Sequence, residues 1–331
     1  MVLEFKKISR DTLGVMCDAA GSGVDFYGLC VDCVGDVLGC GETYILNSAN
    51  SCLLVVAEAI GDCVLVCDQG GWNGFIKSCD VFGKKVMYFP TDDGLINIEK
   101  LSVYLEEHDV NSLYITSLSG YTAKQPLNDI KKLCDVHEVL LILDISGSIG
   151  DETVYEYGDI QIFSTGSPKI INIENGGILH DKTGKIQLNK HLLKTLKADK
   201  ITCAGINHEI RKTKKTYEKT IQTNRYLKDK LIKKLEENKN YTVIHPEHDG
   251  LNTIITTPSK SIAKKLAYNI RQKLETTGNI ITTGPQYNRI KRASINIETK
   301  NLHITSLTQE NMDYIIEIVY SEITRINHQK K

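Results

Sequence analysis

The feature that most constrains the fold is a regular alternation, between Tyr44 and Phe163, of short apolar runs with longer segments of helical length. The runs are rich in Val, Leu and Ile, which is typical of strands buried on both faces. The predicted strands lie at residues 63–67, 83–89, 112–116, 139–143 and 160–163. Strands that alternate with helices in this way predict an α/β fold with a mainly parallel mixed sheet and helices on both faces.

Polar or glycine-rich segments follow several of these strands. They are Asn47–Ser51, Trp72, Ser119–Tyr121, Asp144 and Lys169. Because ligands of such sheets bind beyond the carboxyl ends of the strands, we expect these residues to meet at one rim. Asn50 and Ser51 stand at the start of an apolar helix, where free backbone N–H groups and the positive dipole end would bind a phosphate. Ordinary helix capping explains the same two residues equally well.

Asp144 and Lys169 form the most informative pair. Asp144 ends an apolar run, and Lys169 stands among hydroxyls and glycines in the segment 164–177. A lysine amine and a strand-end carboxylate are what a pyridoxal phosphate (PLP) site needs, since the lysine forms a Schiff base and the acid keeps the pyridine nitrogen protonated. Taken singly, each residue has a simpler interpretation, because such lysines are commonly exposed and such aspartates are commonly caps.

The distribution of charge divides the chain. Residues 1–180 hold 11 Lys and Arg against 26 Asp and Glu, a balance of −15, and residues 181–331 hold the remaining 29 against 15, a balance of +14. This asymmetry raises nucleic acid as a partner of the basic half. Lysines that alternate with acids, as in Lys228–Lys234, favour solvated helix faces instead. We predict an N-terminal segment (1–45), a large α/β domain (46–200) and a small C-terminal α+β domain (201–331).

The N-terminal segment is rich in glycine and cysteine. Its glycines predict short helical pieces or a loop. Cys30 and Cys33 have the spacing of a metal knuckle or a redox pair, with Cys17 and Cys40 nearby, but no second such pair follows, which favours packing thiols. The basic start lacks a long apolar core, and no apolar run would span a bilayer, so the sequence predicts a cytoplasmic protein with no membrane contact.

Two segments resemble a known family. Leu141–Gly150 resembles the aspartate strand of the fold-type I PLP-dependent enzymes (aspartate aminotransferase superfamily), and Gly158–Lys169 resembles their lysine segment. The nearest branch is that of the DegT-like sugar aminotransferases, in which a lysine follows a serine by five residues and precedes a glycine by eight, as Ser164, Lys169 and Gly177 do here. The resemblance covers residues 44–180 well and the remainder only in general architecture. It implies a PLP-dependent transferase-like large domain and a homodimer with the site at the subunit interface.

The resemblance also assigns roles. Lys169 would be the Schiff-base lysine and general acid/base, and Asp144 the partner of the pyridine nitrogen. The remaining cofactor contacts would come from Asn50, Ser51 and Ser164 at the phosphate and from Trp72, which takes the place of the aromatic residue that stacks on the ring. The chain departs from the branch at Ala49–Ser51, which replace a glycine-threonine pair, at Gly147, near a usual glutamine, and at Gly166, in place of a usual histidine. The substrate class is therefore not carried over.

The predicted function is a PLP-dependent aminotransferase for a small amino donor and acceptor, in which Lys169 moves a proton between the substrate and cofactor carbons. A substrate carboxylate would need an arginine, and Arg289 and Arg292 are the candidates, although surface positions explain both. One alternative is a lyase or a sulfur-transfer enzyme, with Cys30, Cys33 or Cys40 as sulfur carrier. Others are an enzyme acting on aminoacyl-tRNA, and a non-enzymatic regulator with the same fold.

Overall fold

A computed structural model describes residues 2–285 and 290–328, and a seven-stranded sheet forms its centre. The strands of the first half of the chain, including a small hairpin (β5–β6), are β1 (Glu42–Leu46), β2 (Cys63–Cys67), β3 (Lys85–Phe89), β4 (Ser112–Thr116), β5 (Leu118–Ser119), β6 (Ala123–Lys124), β7 (Leu140–Asp144), β8 (Ile160–Ser164) and β9 (Gly177–Asp181). The sheet order is β1-β9-β8-β7-β4-β2-β3, and β9 runs antiparallel to both neighbours while the other pairs are parallel. The predicted mixed, mainly parallel sheet is confirmed.

Helices cover both faces of this sheet. They are α1 (Arg10–Gly21), α2 (Phe26–Leu38), α3 (Ala49–Ala59), α4 (Gly74–Val81), α5 (Ile98–Glu107), α6 (Leu127–Val136), α7 (Lys190–Thr195), α8 (Lys200–Glu209), α9 (Thr213–Leu235), α10 (Lys260–Lys273) and α11 (Gln309–His328). Successive strand side chains point to opposite faces, so Leu113 and Leu141 pack under α2, α5, α6 and α8. Tyr114 and Ile142 pack under α3, α4 and α7.

The glycine-rich N-terminal segment forms two full helices rather than short pieces. Ser9 caps α1 by accepting a hydrogen bond from the Thr12 N–H, and Asp25 caps α2 by accepting one from the Gly28 N–H. A Cβ at position 28 would lie 2.7 Å from a carboxylate oxygen of Asp25, so the glycine there makes room for the cap. Capping and packing against α8 outweigh the low helix propensity of glycine.

The small domain is built around a three-stranded antiparallel sheet. Its strands, β10 (Thr253–Thr256), β11 (Ile281–Gly284) and β12 (Ser294–Ile297), lie in the order β10-β12-β11. The helices α9, α10 and α11 contribute to one apolar core with this sheet. Leu3, at the other end of the chain, is fully buried in the same core and forms a β-bridge with Thr276. Within residues 2–285 and 290–328, no helix has both the length and the apolar character that a bilayer crossing requires.

Lys6 is a buried cation whose ammonium has no hydrogen-bond partner among the described residues. Burial lowers the pKa of Lys6 from 10.5 to about 8, opposed by the Glu209 carboxylate. The difference corresponds to about 3 kcal/mol of destabilisation at pH 7, fully present below pH 8 and lost as the pH rises to 10.5. We expect Lys6→Met to raise the free energy of unfolding by up to that amount at pH 7 and by little at pH 10.5, measured by denaturant titration. An equal gain at both pH values would contradict this.

Candidate active site

The residues predicted to meet at one rim follow the carboxyl ends of parallel strands. Asp144 ends β7 and Ser164 ends β8, with Lys169 in the loop that follows. The N-terminus of α3 follows β1, and Trp72 follows β2. Because β9 is antiparallel, its first residue, Gly177, lies at this same edge. The topology therefore brings the predicted site residues to one edge of the sheet.

Gly177 makes the closest approach at this edge. It is the register partner of Leu46 on one side and of Ser164 on the other. A Cβ at this position would lie 2.2 Å from the backbone nitrogen of Ala49, so only glycine lets β9 lie this close to the start of α3. Gly176 before it has φ +89, which glycine also adopts most readily. The glycine pair thus brings Ser164 and the N-terminus of α3 together.

The residue that caps α3 lies before Asn50 and Ser51, the two residues predicted at the helix start. Ser48 is the N-cap, and its hydroxyl accepts a hydrogen bond from the Ser51 N–H at 3.1 Å. The Ser51 hydroxyl contacts Ser48 and the Asn47 amide oxygen. Asn50 and Ser51 therefore lie inside the first turn, where backbone N–H groups and the positive dipole end point toward the rim. Such a turn is suited to bind an anion.

Asp144 is buried and held at both oxygens. One accepts a hydrogen bond from the Ser146 N–H at 2.9 Å, and the other accepts one from the Tyr114 hydroxyl at 3.1 Å. Burial and the Asp144 carboxylate raise the pKa of Tyr114, so the phenol stays protonated as a donor. The Ser146 hydroxyl accepts a hydrogen bond from the Ser164 N–H at 2.9 Å, which ties the end of β7 to the end of β8. The carboxylate is therefore fixed in place as an acceptor.

The loop that carries Lys169 is closed on itself. The Thr165 N–H donates to the Gly176 carbonyl at 3.2 Å, and the Ile173 N–H donates to the Thr165 carbonyl at 3.0 Å. Three buried isoleucines anchor the loop in the core, at positions 170, 171 and 173. The Lys169 amine, half-buried at the rim, lies 2.7 Å from the Tyr121 hydroxyl. The buried Thr165 before Lys169 and the buried isoleucines after it hold the amine at the rim.

Tyr121 was expected at the rim, but no chemical role was predicted for it. It follows β5 with φ +62, a left-handed backbone conformation that is uncommon for tyrosine. A Cβ at Gly147 would lie 2.8 Å from the Tyr121 ring. The missing side chain at Gly147, which the resemblance marks as a departure, is thus the space that the Tyr121 ring occupies. Gly147 was the one sequence signal that pointed to this contact.

Trp72 lies beside the start of α3. Its indole N–H donates to the Asn50 side-chain oxygen at 3.0 Å, and 41% of its surface remains exposed. A Cβ at Gly74 would lie 2.2 Å from the indole nitrogen, so this glycine allows the ring to fold back. Together with Tyr114 and Thr116, Trp72 lines a cavity at the ends of β2 and β4.

Arg292 precedes β12 by two residues and is half-exposed, and it forms an ion pair with Asp93 at 2.9 Å. The neighbouring Lys291 pairs with Asp68 at 2.9 Å, and its N–H donates to Gln69. These contacts dock the small domain against the loops that follow β2 and β3. The role of Arg292 toward a substrate stays a prediction, and Arg289 lies outside the described residues.

The cysteines do not form a site in the described part of the chain. Cys30 and Cys33 are buried in α2, and a hydrogen bond with Cys203 together with burial raises the pKa of Cys30. Cys17 and Cys40 are exposed, but Cys40 precedes β1 and so lies at the edge of the sheet opposite the rim. No group of three potential metal ligands occurs among the residues that the structure describes. Cys30 and Cys33 therefore lack the exposure that a sulfur carrier needs, and packing explains them.

Comparison with known proteins gives the fold a context. Residues 214–320 match the MJ1341 family C-terminal domain, and no curated protein matches by sequence. A variant serine palmitoyltransferase from S. paucimobilis with a bound PLP–myriocin aldimine has a TM-score of 0.77 at 11% identity, covering 98% of this chain and 88% of its own. A cysteine desulfurase from Thermococcus onnurineus NA1 gives 0.75 at 12% identity, covering 97% and 94%. An alanine-glyoxylate aminotransferase from Nostoc sp. gives 0.71 at 14% identity, covering 97% and 95%.

This chain has their fold. At these identities the likeness establishes the architecture, a PLP-transferase-like large domain with a C-terminal domain. The three enzymes catalyse different reactions, so the fold does not choose among them. The resemblance to the DegT-like branch stays a prediction.

Proposed function

We propose that this protein binds pyridoxal 5'-phosphate at the rim and acts as an aminotransferase on a small amino or keto substrate. The observation that carries the proposal is the meeting of three groups at one edge of the sheet: the Asp144 carboxylate, the Lys169 amine and the N-terminus of α3 beside Ser164. The solved serine palmitoyltransferase with bound PLP, which shares the fold, supports it.

The residues present fit a phosphorylated aromatic cofactor. A Cβ at position 177 would collide with the backbone at the start of α3. Because Gly177 has none, the first turn of α3 lies next to Ser164. Asn50, Ser51 and Ser164 would hold the phosphate, with the dipole of α3 favouring its negative charge. Trp72, at the wall of the cavity, would cover the ring. The departure from the glycine-threonine pair at Ala49–Ser51 leaves this anion site intact, because its donors are backbone N–H groups and hydroxyls.

Asp144 and Lys169 would divide the chemistry between them. When bound, PLP supplies an electron sink for reactions at an amino-bearing carbon. Asp144, held by Ser146 and Tyr114, would accept a hydrogen bond from the ring nitrogen, since each carboxylate oxygen has a second lone pair. Lys169 would bind the cofactor and move the proton, with the Tyr121 hydroxyl orienting its amine.

Amino transfer is favoured over sulfur transfer on one specific ground. A sulfur carrier must be exposed and reach the reacting centre, whereas Cys30 and Cys33 are buried and Cys40 lies at the opposite edge of the sheet. A lyase reaction would use the same groups as amino transfer, so a lyase is the second candidate. The aminoacyl-tRNA alternative needs positive charge that is available to RNA phosphates. Three lysines near or on α9 (212, 214 and 234) are instead ion-paired with Glu209, Glu152 and Glu317.

A homodimer is part of the proposal. Four exposed apolar side chains lie on or next to α1, α2 and α8, namely Leu13, Val24, Leu29 and Ile201. Ile201 is next to Thr202, whose hydroxyl accepts a hydrogen bond from the Asn175 side chain of the Lys169 loop at 3.1 Å. An apolar surface beside the site is where a second copy would complete it.

Adding PLP to the purified full-length protein tests the proposal. We expect a visible absorption band that differs from that of free PLP and disappears on addition of an amino donor, with spectral conversion to the pyridoxamine form and release of the keto acid. A panel of small amino acids and amino sugars identifies the donor class. Retention of the band with no conversion, but with keto acid and ammonia released, would support the lyase. Absence of any band at saturating PLP would overturn the proposal.

A further inference from the structure

Lys228 is a buried lysine in an unexpected place. The sequence places it in a lysine-rich helix segment that favours a solvated face, but its side chain is fully buried. Its amine donates to three backbone carbonyls: Thr122 at 3.2 Å, His245 at 2.5 Å and His248 at 2.7 Å. Burial lowers the pKa of Lys228 to about 8, so the fold retains an ammonium group that it is costly to bury. Such a group calls for an explanation beyond helix packing.

The three carbonyls belong to two different segments. Thr122 follows Tyr121 at the rim of the large domain, and His245 and His248 belong to the loop that precedes β10 in the small domain. The same two segments are joined by backbone hydrogen bonds, because the N–H groups of Leu251 and Asn252 both donate to the Tyr121 carbonyl, at 2.8 and 3.0 Å. Lys228 therefore lies where the small domain is hydrogen-bonded to the segment that carries Tyr121.

Backbone geometry shows that this segment needs support. Tyr121 has φ +62 and His245 has φ +48, and both are left-handed conformations that a residue with a Cβ adopts at a cost. Strained conformations of this kind persist where the surroundings over-determine them, and they cluster at functional sites. The carbonyl of His245 and the carbonyl next to Tyr121 are two of the three that Lys228 binds.

We propose that Lys228 is a positioning residue that, through the Thr122 carbonyl, fixes the Tyr121 hydroxyl against the amine of Lys169. The inference rests on the proposed function only for the meaning of Lys169, because the contact itself does not require the cofactor. Lys228 reaches the rim only through the backbone carbonyl of Thr122. It acts by holding a strained segment in the one conformation that brings the Tyr121 hydroxyl within 2.7 Å of the amine.

The test measures the reactivity of Lys169 in the cofactor-free full-length protein. An amine-reactive reagent is applied at pH 7, and mass spectrometry gives the labelling rate of Lys169, with the exposed Lys132 as internal standard. We expect Lys228→Met to raise this rate by roughly two- to tenfold, the effect of losing one net hydrogen bond. Tyr121→Phe should raise this rate by the same factor. The double variant should raise it no further, because both changes remove the same contact, that between the Tyr121 hydroxyl and the Lys169 amine.

Two further variants separate positioning from the general effect of removing a buried lysine. Lys6→Met removes another buried lysine, whose ammonium forms no hydrogen bond within the described residues, and it should leave Lys169 labelling unchanged. Gly250→Ala keeps Lys228 but places a Cβ 2.6 Å from the Thr122 backbone, so it should raise labelling as Lys228→Met does. This variant also serves if Lys228→Met does not fold.

The outcomes are distinct from those of the cofactor test. If Lys228→Met and Gly250→Ala leave Lys169 labelling at the wild-type rate while Tyr121→Phe raises it, the proposed role of Lys228 is wrong. If Tyr121→Phe has no effect either, the hydroxyl does not engage the amine and the inference fails at its first step. PLP binding is read separately from the visible band, so loss of the proposed function would leave the labelling result interpretable.

Discussion

Replacing Lys169 by alanine should abolish the visible band of bound PLP and lower the rate of amino transfer by roughly 10²–10⁴-fold, the contribution of a positioned proton-transfer group. The physical reason is that Lys169 supplies the amine at the rim, where the hydrogen bonds and buried isoleucines of the loop 165–176 anchor it and Tyr121 orients it. Absorption spectroscopy of the PLP-loaded protein and single-turnover kinetics with the identified donor measure the two effects.

Lys182→Ala is the matched control for this variant. Lys182 is also partly buried, and its amine donates to the carbonyls of Tyr155 and Glu156. It follows β9 and so lies at the edge of the sheet opposite the rim. The control should retain both the band and the rate. A Lys169→Ala protein that keeps the wild-type band and rate would place the cofactor elsewhere and remove the basis of the proposed function.

Asp144→Asn should keep the fold but lower amino transfer by about 10²–10³-fold, as the loss of one preorganised electrostatic contact does at other active sites. Asparagine is nearly isosteric, so its side-chain oxygen can still accept a hydrogen bond from Ser146 or Tyr114. It carries no charge, however, and therefore no longer stabilises a proton on the ring nitrogen. We expect PLP to bind, with the loss confined to the chemical step, as measured by single-turnover rates at saturating PLP.

Asp159→Asn distinguishes this effect from the general cost of altering a buried carboxylate. Asp159 is fully buried, accepts a hydrogen bond from the Leu141 N–H and pairs with Lys185, at the opposite end of the same two strands. This variant should lower the free energy of unfolding while leaving the single-turnover rate intact. If both variants lowered the rate to the same extent, the effect of Asp144 would be structural.

The sequence predicted those parts of the fold that depend on local pattern. Apolar periodicity located the strands that end at Asp144 and Ser164, and strand direction then required their ends to share one edge. The fold-level resemblance is confirmed by the solved structures, while the reaction type is not decided by them. The site residues themselves stay predictions, although the topology places them together.

What the sequence could not predict depends on contacts between distant segments. The role of Tyr121 follows from a left-handed backbone, which has no local signature, and from the space at Gly147, which a sequence shows only as a missing side chain. Lys228 was assigned to a solvated face because its neighbours alternate in charge, but tertiary packing turns it inward. In each case the partner lies outside the window that a sequence pattern samples.

The burial of Leu3 in the small domain has a consequence for how the chain assembles. Leu3 bridges Thr276, and Phe5 bridges Leu302, so this core joins segments that are separated by most of the described chain. Contacts of such long sequence separation form slowly, because the intervening chain must first be brought together. The seven-stranded sheet uses only residues 42–181 and can close before these long-range contacts form. The hydrogen bonds between the small domain and the Tyr121 segment would then form late in folding. The rim would become able to bind the cofactor only after them.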